Sequence, residues 1–471
     1  MIHEYHMTIG GRDASAKAFL DVINPATEDV IGRAPDAGNA ELDAAVEAAQ
    51  RAFPSWAATP WADRQAALVH AAEVINENKE ELAQLLTLEH GKPLAEARRE
   101  MDTSRRWCTS LATLELPVEV VSDENGRRVE VRHEPIGVVA GISPWNVPVS
   151  SAIWKILPAV LTGNTIVVKP APTAPLTVLK IGELLRDVFP AGVINVITGG
   201  DALGPLITAH PGFGKISFTG STATGRAVMA SASAGVKRLT LELGGNDPAL
   251  VFADIDIPDT AAKLFRSAFF NNGQVCVATK RCYVHEDIYD AFLAEMTRLV
   301  AGSLVATGTT DGVALGPIHN KAQFESLTGM LDTAKAEGLV LIQPSEIPSG
   351  KGYFLAPTLV DNPPEDSQIM QEEQFGPILP LVKFKDTDDV IERANASQYG
   401  LAATVWTKNR DLALDVAARL DTGNVWVNEP LAFSPFAVFG GRKQSGLGVE
   451  HGLRGLEEFT NSKAVTLNFE S

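Results

Sequence analysis

The chain has 471 residues, 45% of them hydrophobic, and a formal net charge of −18 at pH 7. This length predicts two to four globular domains, because a domain commonly has ~100–200 residues. The acidic balance argues against nucleic acid or an anionic membrane surface as a partner.

The first part of the chain predicts a short extended segment followed by helices. Residues 22–27 form a polar turn signal, and residues 41–56 and 62–89 place apolar side chains at helical spacing. Residues 118–133 alternate around a turn-prone stretch and predict a hairpin. We interpret this hairpin as an assembly arm.

Two sets of short apolar strands alternate with helical segments in the rest of the chain. Such alternation is typical of right-handed βαβ units on a parallel sheet. The first set predicts a doubly wound nucleotide-binding sheet and comprises residues 137–142, 165–169, 193–198, 215–219 and 238–243. The second predicts a further α/β domain and comprises residues 249–253, 281–285, 355–360, 378–384, 401–407 and 424–428.

The three cysteines, Cys108, Cys276 and Cys282, lack the spacing of a disulfide framework or a metal site. We therefore predict reduced thiols, no bound metal and a cytoplasmic location. No segment reaches the ~18 uninterrupted apolar residues of a membrane helix, and residues 1–10 lack the features of a signal peptide. We expect no membrane contact.

Polar residues follow four strands of the first set, at the edge where open α/β sheets bind ligands. Asn146 could donate to an oxyanion or simply form a turn. Lys169 could bond ribose hydroxyls or be solvated. Residues 220–225 have the spacing of a pyrophosphate-binding helix start, and also that of an ordinary strand-to-helix turn. Glu242 is either an ion-paired strand residue or a base.

Cys276 lies in an uncharged loop of small residues, 269–278. A thiol is a strong nucleophile even when only a small fraction is ionised, so we interpret Cys276 as a nucleophile, with a buried structural cysteine as the alternative. A cofactor-free cysteine hydrolase is disfavoured because no His/Asp partner is evident beside Cys276.

Six motifs resemble the aldehyde dehydrogenase superfamily in sequence, order and separation, over nearly the whole chain. They are residues 144–146, 218–221, 241–246, 273–276, 372–377 and 439–446. The resemblance implies an α/β fold with a doubly wound parallel-sheet cofactor domain and an α/β catalytic domain. It places the dinucleotide-binding domain at residues 1–117 and 134–244, the catalytic domain at 245–450 and an oligomerisation arm at 118–133 and 451–471. Assembly through the arm, including a final strand over residues 464–469, would give a homodimer or homotetramer.

The resemblance also implies oxidation of an aldehyde to a carboxylic acid. Cys276 would attack the aldehyde, and the Asn146 amide and the Cys276 N–H would hold the oxyanion of the thiohemiacetal. Hydride loss to the nicotinamide would leave a thioester, which Glu242 as general base would hydrolyse. Glu450 would relay the proton, although Val449 stands where the family often has arginine.

The implied cofactor is NAD, with measurable NADP use. Pro172 occupies the position where NAD-preferring members usually have a glutamate that repels the 2′-phosphate of NADP, so discrimination should weaken. The implied cofactor contacts are Trp145, Lys169, Ala171, Pro172, Gly220, Ser221, Leu243, Glu373 and Phe375.

The substrate tunnel implied by the family pattern contains no charged side chain. Its residues are Val147, Ser150, Ser151, Trp154, Val275, Val277, Leu431, Phe433 and Phe439. This lining predicts neutral, medium-sized apolar aldehydes, aromatic or aliphatic, because a carboxylate buried without a partner would be costly. The alternatives are a semialdehyde dehydrogenase and a fold retained only for binding or structure, which the intact cysteine, glutamate and asparagine argue against.

Overall fold

The structure is a computed structural model that describes residues 2–469. The strands are β1 (Met7–Ile9), β2 (Arg12–Ala14), β3 (Phe19–Ile23), β4 (Val30–Pro35), β5 (Glu119–Glu124), β6 (Arg127–Pro135), β7 (Val138–Ile142), β8 (Thr165–Lys169), β9 (Ile194–Val196), β10 (Lys215–Thr219), β11 (Arg238–Glu242), β12 (Asp247–Val251), β13 (Thr279–His285), β14 (Val340–Ile342), β15 (Thr358–Asp361), β16 (Ile378–Phe384), β17 (Tyr399–Gly400), β18 (Ala402–Trp406), β19 (Asn424–Val427), β20 (Arg442–Lys443), β21 (Gly446–Leu447) and β22 (Thr460–Asn468).

The helices follow the same chain order. They are α1 (Asn39–Ala57), α2 (Trp61–Glu77), α3 (Lys79–His90), α4 (Leu94–Leu111), α5 (Pro148–Leu161), α6 (Leu176–Leu184), α7 (Leu203–Ala209), α8 (Thr222–Ser233), α9 (Ile257–Phe269), α10 (Tyr289–Ala301), α11 (Lys321–Ala336), α12 (Gln368–Gln371), α13 (Thr387–Asn395), α14 (Arg410–Arg419) and α15 (Gly452–Glu457), with short 3-10 turns at Leu185–Asp187 and Phe270–Gly273.

The first sheet has eight strands in the order β2-β1-β9-β8-β7-β10-β11-β21. Its five central strands, from β9 to β11, run parallel, and α5, α6, α7 and α8 connect them. From β7 the chain adds β8 and β9 on one side. It then crosses to the other side of β7, where β10 and β11 follow. Ligands of open α/β sheets bind at such a reversal, so the ends of β7 and β10 are the first place to look for a site. The predicted doubly wound sheet is confirmed.

The second sheet has seven strands in the order β14-β15-β16-β13-β12-β18-β19. All pairs are parallel except β14 with β15. Strands covered on both faces need apolar side chains throughout, and all five residues of β18, AATVW, are buried. The predicted second α/β unit is therefore present, and the α/β fold class is confirmed.

A third sheet joins the hairpin to the C-terminal strand. It has the order β22-β6-β5, and β22 pairs antiparallel with β6 from Thr460 opposite Pro135 to Asn468 opposite Arg127. The predicted hairpin is present and slightly longer than expected. The final strand begins at Thr460, four residues before the predicted start at residue 464. The role of this sheet in assembly stays a prediction.

The helical segment predicted over residues 62–89 is two helices, and that prediction was wrong in this respect. α2 ends and α3 begins at Asn78, whose side-chain Nδ2 donates to Val74 O at 2.8 Å. Asparagine competes for the backbone hydrogen bonds that a continuous helix needs, so it favours an end at this position. The chain also forms α4, which the sequence analysis did not predict.

Candidate active site

The turn before Cys276 is held in a left-handed conformation. Asn271 and Asn272 have φ of 53° and 57°, and Gly273 has φ of 69°. Asparagine tolerates this region because its short side chain bonds locally, and glycine has no Cβ to clash. A Cβ on Gly273 would collide with the carbonyl oxygen of Gly376. The residue types of this turn therefore permit the close packing that presents Cys276.

Lys280 ties the backbone on both sides of the nucleophile. Its side chain is buried, and Nζ donates to Val275 O at 2.9 Å and to Cys276 O at 2.6 Å. The same Nζ lies 3.4 Å from Glu373 Oε1. One buried ammonium thus holds two carbonyl groups of the Cys276 loop beside the Glu373 carboxylate.

The Cys276 thiol is half-buried and carries its proton in the free protein. Burial raises its pKa to about 12, the Lys280 ammonium opposes that rise, and the carboxylates of Glu373, Asp247 and Glu242 add to it. The thiolate is the nucleophilic form of cysteine. Attack by Cys276 therefore requires loss of this proton.

Glu242 ends β11, and its carboxyl group lies close enough to Cys276 to act on it electrostatically. The residue is 4% exposed, and neither carboxylate oxygen has a hydrogen-bond partner within residues 2–469. Burial raises its pKa well above the ordinary range, the negative charge of Glu450 raises it further, and Lys155 lowers it. A buried carboxylate without partners is costly to maintain, and such groups are concentrated at functional sites.

Lys155 and Glu450 form a buried ion pair next to Glu242. Lys155 Nζ lies 3.0 Å from Glu450 Oε1 and also donates to Thr219 Oγ1 at 2.7 Å. Because Thr219 ends β10 and Lys155 belongs to α5, the pair connects the sheet edge with the helix after Asn146. Glu450 thus has a charged partner while Glu242 has none.

Asn146 follows β7, and its side chain is bound to the cysteine loop. Nδ2 donates to Gln274 O at 2.9 Å, and Asn146 O accepts from Lys92 Nζ and from Asn271 Nδ2, both at 2.9 Å. An amide nitrogen has two hydrogens, so one is left for a ligand in the cavity. Three hydrogen bonds therefore fix Asn146, and one hydrogen of its side-chain amide is left to donate to a ligand.

The start of α8 forms a cradle at the end of β10. Ser221 is its N-cap and accepts from Thr224 N at 3.2 Å, while the first backbone N–H groups of α8 remain available for an anion. A Cβ on Gly225 would lie 2.5 Å from Leu243 Cδ2, so only glycine allows this helix to lie so close to β11. These features fit the pyrophosphate of a dinucleotide.

Lys169, Trp145 and Phe375 lie in the part of the cavity that is predicted to bind the cofactor. Burial lowers the pKa of Lys169 to about 8, against the charges of Asp201 and Asp36, and its Nζ donates only to Pro170 O at 3.2 Å. Two Nζ hydrogens are therefore left for hydroxyl groups. Trp145 meets Phe375 edge to face, with ring centroids 5.3 Å apart.

Glu373 is turned towards the strand end that follows Glu242. Its Oε1 accepts from Gly245 N at 3.0 Å, and a Cβ on Gly244 would collide with its Oε2. Burial raises the pKa of Glu373, and Lys280 opposes that rise. The two glycines thus allow the carboxylate to lie directly against the backbone.

One cavity of about 1020 Å³ collects these groups. Its lining includes all of the predicted catalytic and cofactor residues, namely Cys276, Glu242, Asn146, Glu450, Trp145, Lys169, Ala171, Pro172, Gly220, Ser221, Leu243, Glu373 and Phe375. The predicted substrate residues on this lining are Val147, Ser150, Ser151, Trp154, Val275, Leu431, Phe433 and Phe439.

A sequence profile of the aldehyde dehydrogenase family matches residues 12–465. The chain belongs to this family. An aldehyde dehydrogenase of a Fusarium species is 39% identical over 465 residues, covering 98% of both chains. A phenylacetaldehyde dehydrogenase of Pseudomonas fluorescens is 36% identical over 483 residues, covering 99% of this chain and 96% of that protein. The structure of a Bacillus cereus aldehyde dehydrogenase in complex with NAD+ superposes with a TM-score of 0.96 at 36% identity, covering 99% and 97% of the two chains.

This membership confirms the predicted resemblance, the enzyme class and the use of NAD(P). As an aldehyde dehydrogenase, the chain is an oxidoreductase that acts on an aldehyde. The residue roles and the choice of aldehyde stay predictions.

Val277 does not line the cavity of this aldehyde dehydrogenase, and that part of the predicted tunnel was wrong. The side chain is 2% exposed and packs in an apolar cluster that includes Leu401 and Ala402. Its neighbour Val275 does reach the cavity. Both valines thus belong to the same apolar cluster, and of the two only Val275 also lines the cavity.

The sequence analysis missed a charged part of the lining. α4 contributes Arg99, Arg105 and Arg106, and α9 contributes Arg266. It also missed the buried lysines that support the site, Lys92, Lys155 and Lys280. Lys280 lies four residues after Cys276, among apolar residues and residues of a predicted strand. A lysine in these surroundings could have indicated a buried charge that supports the site.

The sequence predicted neither a metal site nor a membrane-spanning helix. Within residues 2–469, no group of three or more His, Cys, Asp or Glu side chains is arranged to hold a metal ion. Over the same part of the chain, no helix has the length and apolar character needed to cross a membrane.

Proposed function

We propose that this aldehyde dehydrogenase oxidises neutral, medium-sized apolar aldehydes, aromatic or aliphatic, to carboxylic acids through a thioester on Cys276. The observation that carries this proposal is the buried Glu242 carboxylate, which has no hydrogen-bond partner in residues 2–469 and lines the same cavity as Cys276. A thiol beside a carboxylate of raised pKa has the two functions that acyl transfer needs, a nucleophile and a base.

In the first step, the Cys276 thiol gives its proton to water in the cavity, and its sulfur attacks the aldehyde carbon. A carbon–sulfur bond forms, and the carbonyl oxygen becomes an oxyanion. The free hydrogen of Asn146 Nδ2 and the Cys276 backbone N–H donate to this oxyanion. One such donor is typically worth ~100–1,000-fold in rate.

Bound NAD(P)+ supplies the hydride acceptor. Glu242 then takes a proton from a water molecule whose oxygen attacks the thioester carbon. The carbon–sulfur bond breaks, the carboxylic acid leaves, and Cys276 recovers its proton. Glu450 carries the proton away from Glu242, with Lys155 holding its carboxylate at 3.0 Å.

The cofactor cradle supports NAD with measurable NADP use. Ser221 and the start of α8 bind the pyrophosphate, Lys169 binds ribose hydroxyls, and Glu373 turns to the nicotinamide ribose. Pro172 lines the cavity beside Lys169 and supplies no carboxylate against a 2′-phosphate.

The inner wall of the cavity supports an apolar substrate. Trp154 and Phe433 have ring centroids 6.0 Å apart, and Phe433 and Phe439 are 5.2 Å apart. These flat apolar walls fit an aromatic ring or an alkyl chain. The relative that acts on phenylacetaldehyde is consistent with such a substrate.

The proposed organisation follows the three sheets. The first sheet apart from β21 (446–447), with its helices, forms the cofactor domain (1–117 and 134–244). The second sheet forms the catalytic domain (245–450), and 118–133 with 451–471 form an oligomerisation arm. In this proposal, the arms join copies of the chain into a homodimer or homotetramer.

The test compares kcat/KM for benzaldehyde, hexanal and succinic semialdehyde with each of the two cofactors, followed through the absorbance of the reduced nicotinamide. We expect benzaldehyde and hexanal to exceed the semialdehyde, and NAD to exceed a measurable rate with NADP. A clear preference for succinic semialdehyde would overturn the substrate assignment.

A further inference from the structure

Four arginines surround the mouth of the active-site cavity. Arg99, Arg105 and Arg106 extend from α4 and Arg266 from α9, and all four line the cavity while remaining exposed to solvent. We call this group the arginine rim. It lies outside the apolar inner wall that Trp154, Phe433 and Phe439 form.

The arginines of the rim form no salt bridges in the described part of the chain. Within residues 2–469, Arg99, Arg105, Arg106 and Arg266 form no salt bridge, although burial raises the pKa of the Glu96 carboxyl group and the nearby charge of Arg99 opposes that rise. Elsewhere on α4 the opposite holds, since Arg98 forms a bidentate pair with Glu80, at 2.7 and 2.8 Å.

Two acidic residues next to the rim, Asp102 and Glu100, are paired with lysines. Both carboxylate oxygens of Asp102 accept from Lys79 Nζ at 2.7 Å, and the buried Glu100 accepts from Lys92 Nζ at 2.6 Å. The rim is therefore a concentration of unpaired positive charge in a chain whose net charge is −18. Such a patch at a cavity mouth attracts anions and raises their rate of arrival.

We propose that the arginine rim binds an anionic group at the far end of an elongated aldehyde whose middle section is apolar. The aldehyde carbon reaches Cys276, the apolar section lies against the inner wall, and the anion stays at the mouth beside the guanidinium groups. This inference rests on the proposed function and modifies it at one point: the aldehyde end and the middle section stay neutral and apolar, and only the far end carries an anion.

Because the proposed anion site and the apolar inner wall are different parts of the cavity, the length of the substrate determines which part its carboxylate contacts. Arg99 and Arg106 are seven residues apart on α4, about 10 Å along a helix at 1.5 Å per residue, so the rim is wide. A short semialdehyde would place its carboxylate against the apolar wall, where it would lose hydration without gaining a partner. In this proposal, a longer spacer is needed for the carboxylate to reach the rim.

The experiment uses the full chain with NAD and two matched substrates, azelaic semialdehyde and its neutral methyl ester. We expect the wild-type kcat/KM to favour the carboxylate by roughly tenfold at low salt, and this preference to fall as salt screens the rim. Succinic semialdehyde should gain no such advantage over its own methyl ester.

Two variants identify the source of the preference. The double variant Arg99→Gln with Arg106→Gln should lower the ratio of kcat/KM for acid over ester several-fold, because two guanidinium groups of the rim are lost. Arg98→Gln removes the same charge from the same helix outside the cavity and should keep the wild-type ratio. The three substituted arginines are exposed. Circular dichroism checks that both variants are folded.

The outcomes separate this inference from the proposed function. If the wild-type enzyme oxidises acid and ester equally, or if the rim variant keeps the full preference, the rim does not bind the anion. If neither compound nor hexanal is oxidised, the proposed function fails and the inference falls with it. An equal loss of preference in Arg98→Gln would point to the overall charge of the helix and would overturn the assignment to the rim.

Discussion

At the scale of single residues, the surroundings of Glu242 make its carboxylate a stronger base. Burial and the neighbouring Glu450 charge both raise the pKa of this carboxyl group. A raised pKa makes the carboxylate a stronger base, and it also means that the carboxylate form is reached only at higher pH. We therefore expect the hydrolysis step to accelerate with pH beyond the range in which an exposed carboxyl group has already ionised.

Pro172 gives a residue-scale prediction about the cofactor. Replacing it with glutamate puts a carboxylate on the cavity lining near Lys169, where it would repel a 2′-phosphate and accept from ribose hydroxyls. We expect Pro172→Glu to raise the ratio of kcat/KM for NAD over NADP, measured with hexanal in excess. Pro172→Gln is the uncharged control, and an equal change in both variants would mean that charge does not set the preference.

At the scale of elements, α4 positions the catalytic residues of its neighbours. Glu100 Oε1 accepts from Val149 N at 3.0 Å and from Ser150 N at 3.1 Å, so it satisfies two free N–H groups at the start of α5. Its Oε2 holds Lys92, which in turn donates to the carbonyl oxygen of Asn146. A single buried carboxylate thus links α4, α5 and Asn146, the proposed oxyanion donor.

Glu100→Gln tests this link. The amide can still accept from the start of α5, but it cannot neutralise Lys92, and an unpaired buried ammonium typically costs ~3–5 kcal/mol. We expect a clear fall in Tm and in the free energy of unfolding measured with urea. The matched control is Glu47→Gln, which breaks the exposed pair with Arg51 and should leave both quantities nearly unchanged. Equal stability of the two variants would contradict the account.

The sequence predicted elements with strong apolar periodicity and missed those defined by polar contacts. β8, with the sequence TIVVK, and its neighbours were recognised because both faces are buried. α4 was missed because its outward face carries many charges, although seven of its residues are buried. The loop motif around Cys276 was recognised, but which of Val275 and Val277 faces the cavity depends on backbone direction, which periodicity does not give.

At the scale of the whole molecule, the three-stranded sheet has two edges that no strand covers within residues 2–469. Its first strand, β5, is exposed along its whole length, with Val120 and Val121 at 45% and 60% exposure. Exposed apolar residues on an open edge favour pairing with another chain. The proposed arm is therefore the part of the molecule best suited to join copies.

Sedimentation velocity tests the arm. We expect the wild-type chain to sediment as a dimer or tetramer, and Val120→Lys with Val121→Lys to shift it towards smaller species, because charges on the edge oppose pairing. Val236→Lys is the control, since Val236 is 91% exposed but lies outside the arm. A monomeric wild-type chain, or a double variant that keeps the full assembly, would contradict the proposal.

The central claim is that Cys276 carries the acyl group and Glu242 releases it. The most direct measurement mixes Glu242→Gln with NAD and benzaldehyde, follows reduced nicotinamide in the stopped flow, and then locates the adduct by mass spectrometry of a proteolytic digest. We predict a burst of reduced cofactor close to the concentration of sites, slow turnover afterwards, and a benzoyl group on Cys276, with no burst in Cys276→Ser. Absence of the burst, or a benzoyl group on the buried Cys108 or Cys282 instead, would contradict the account.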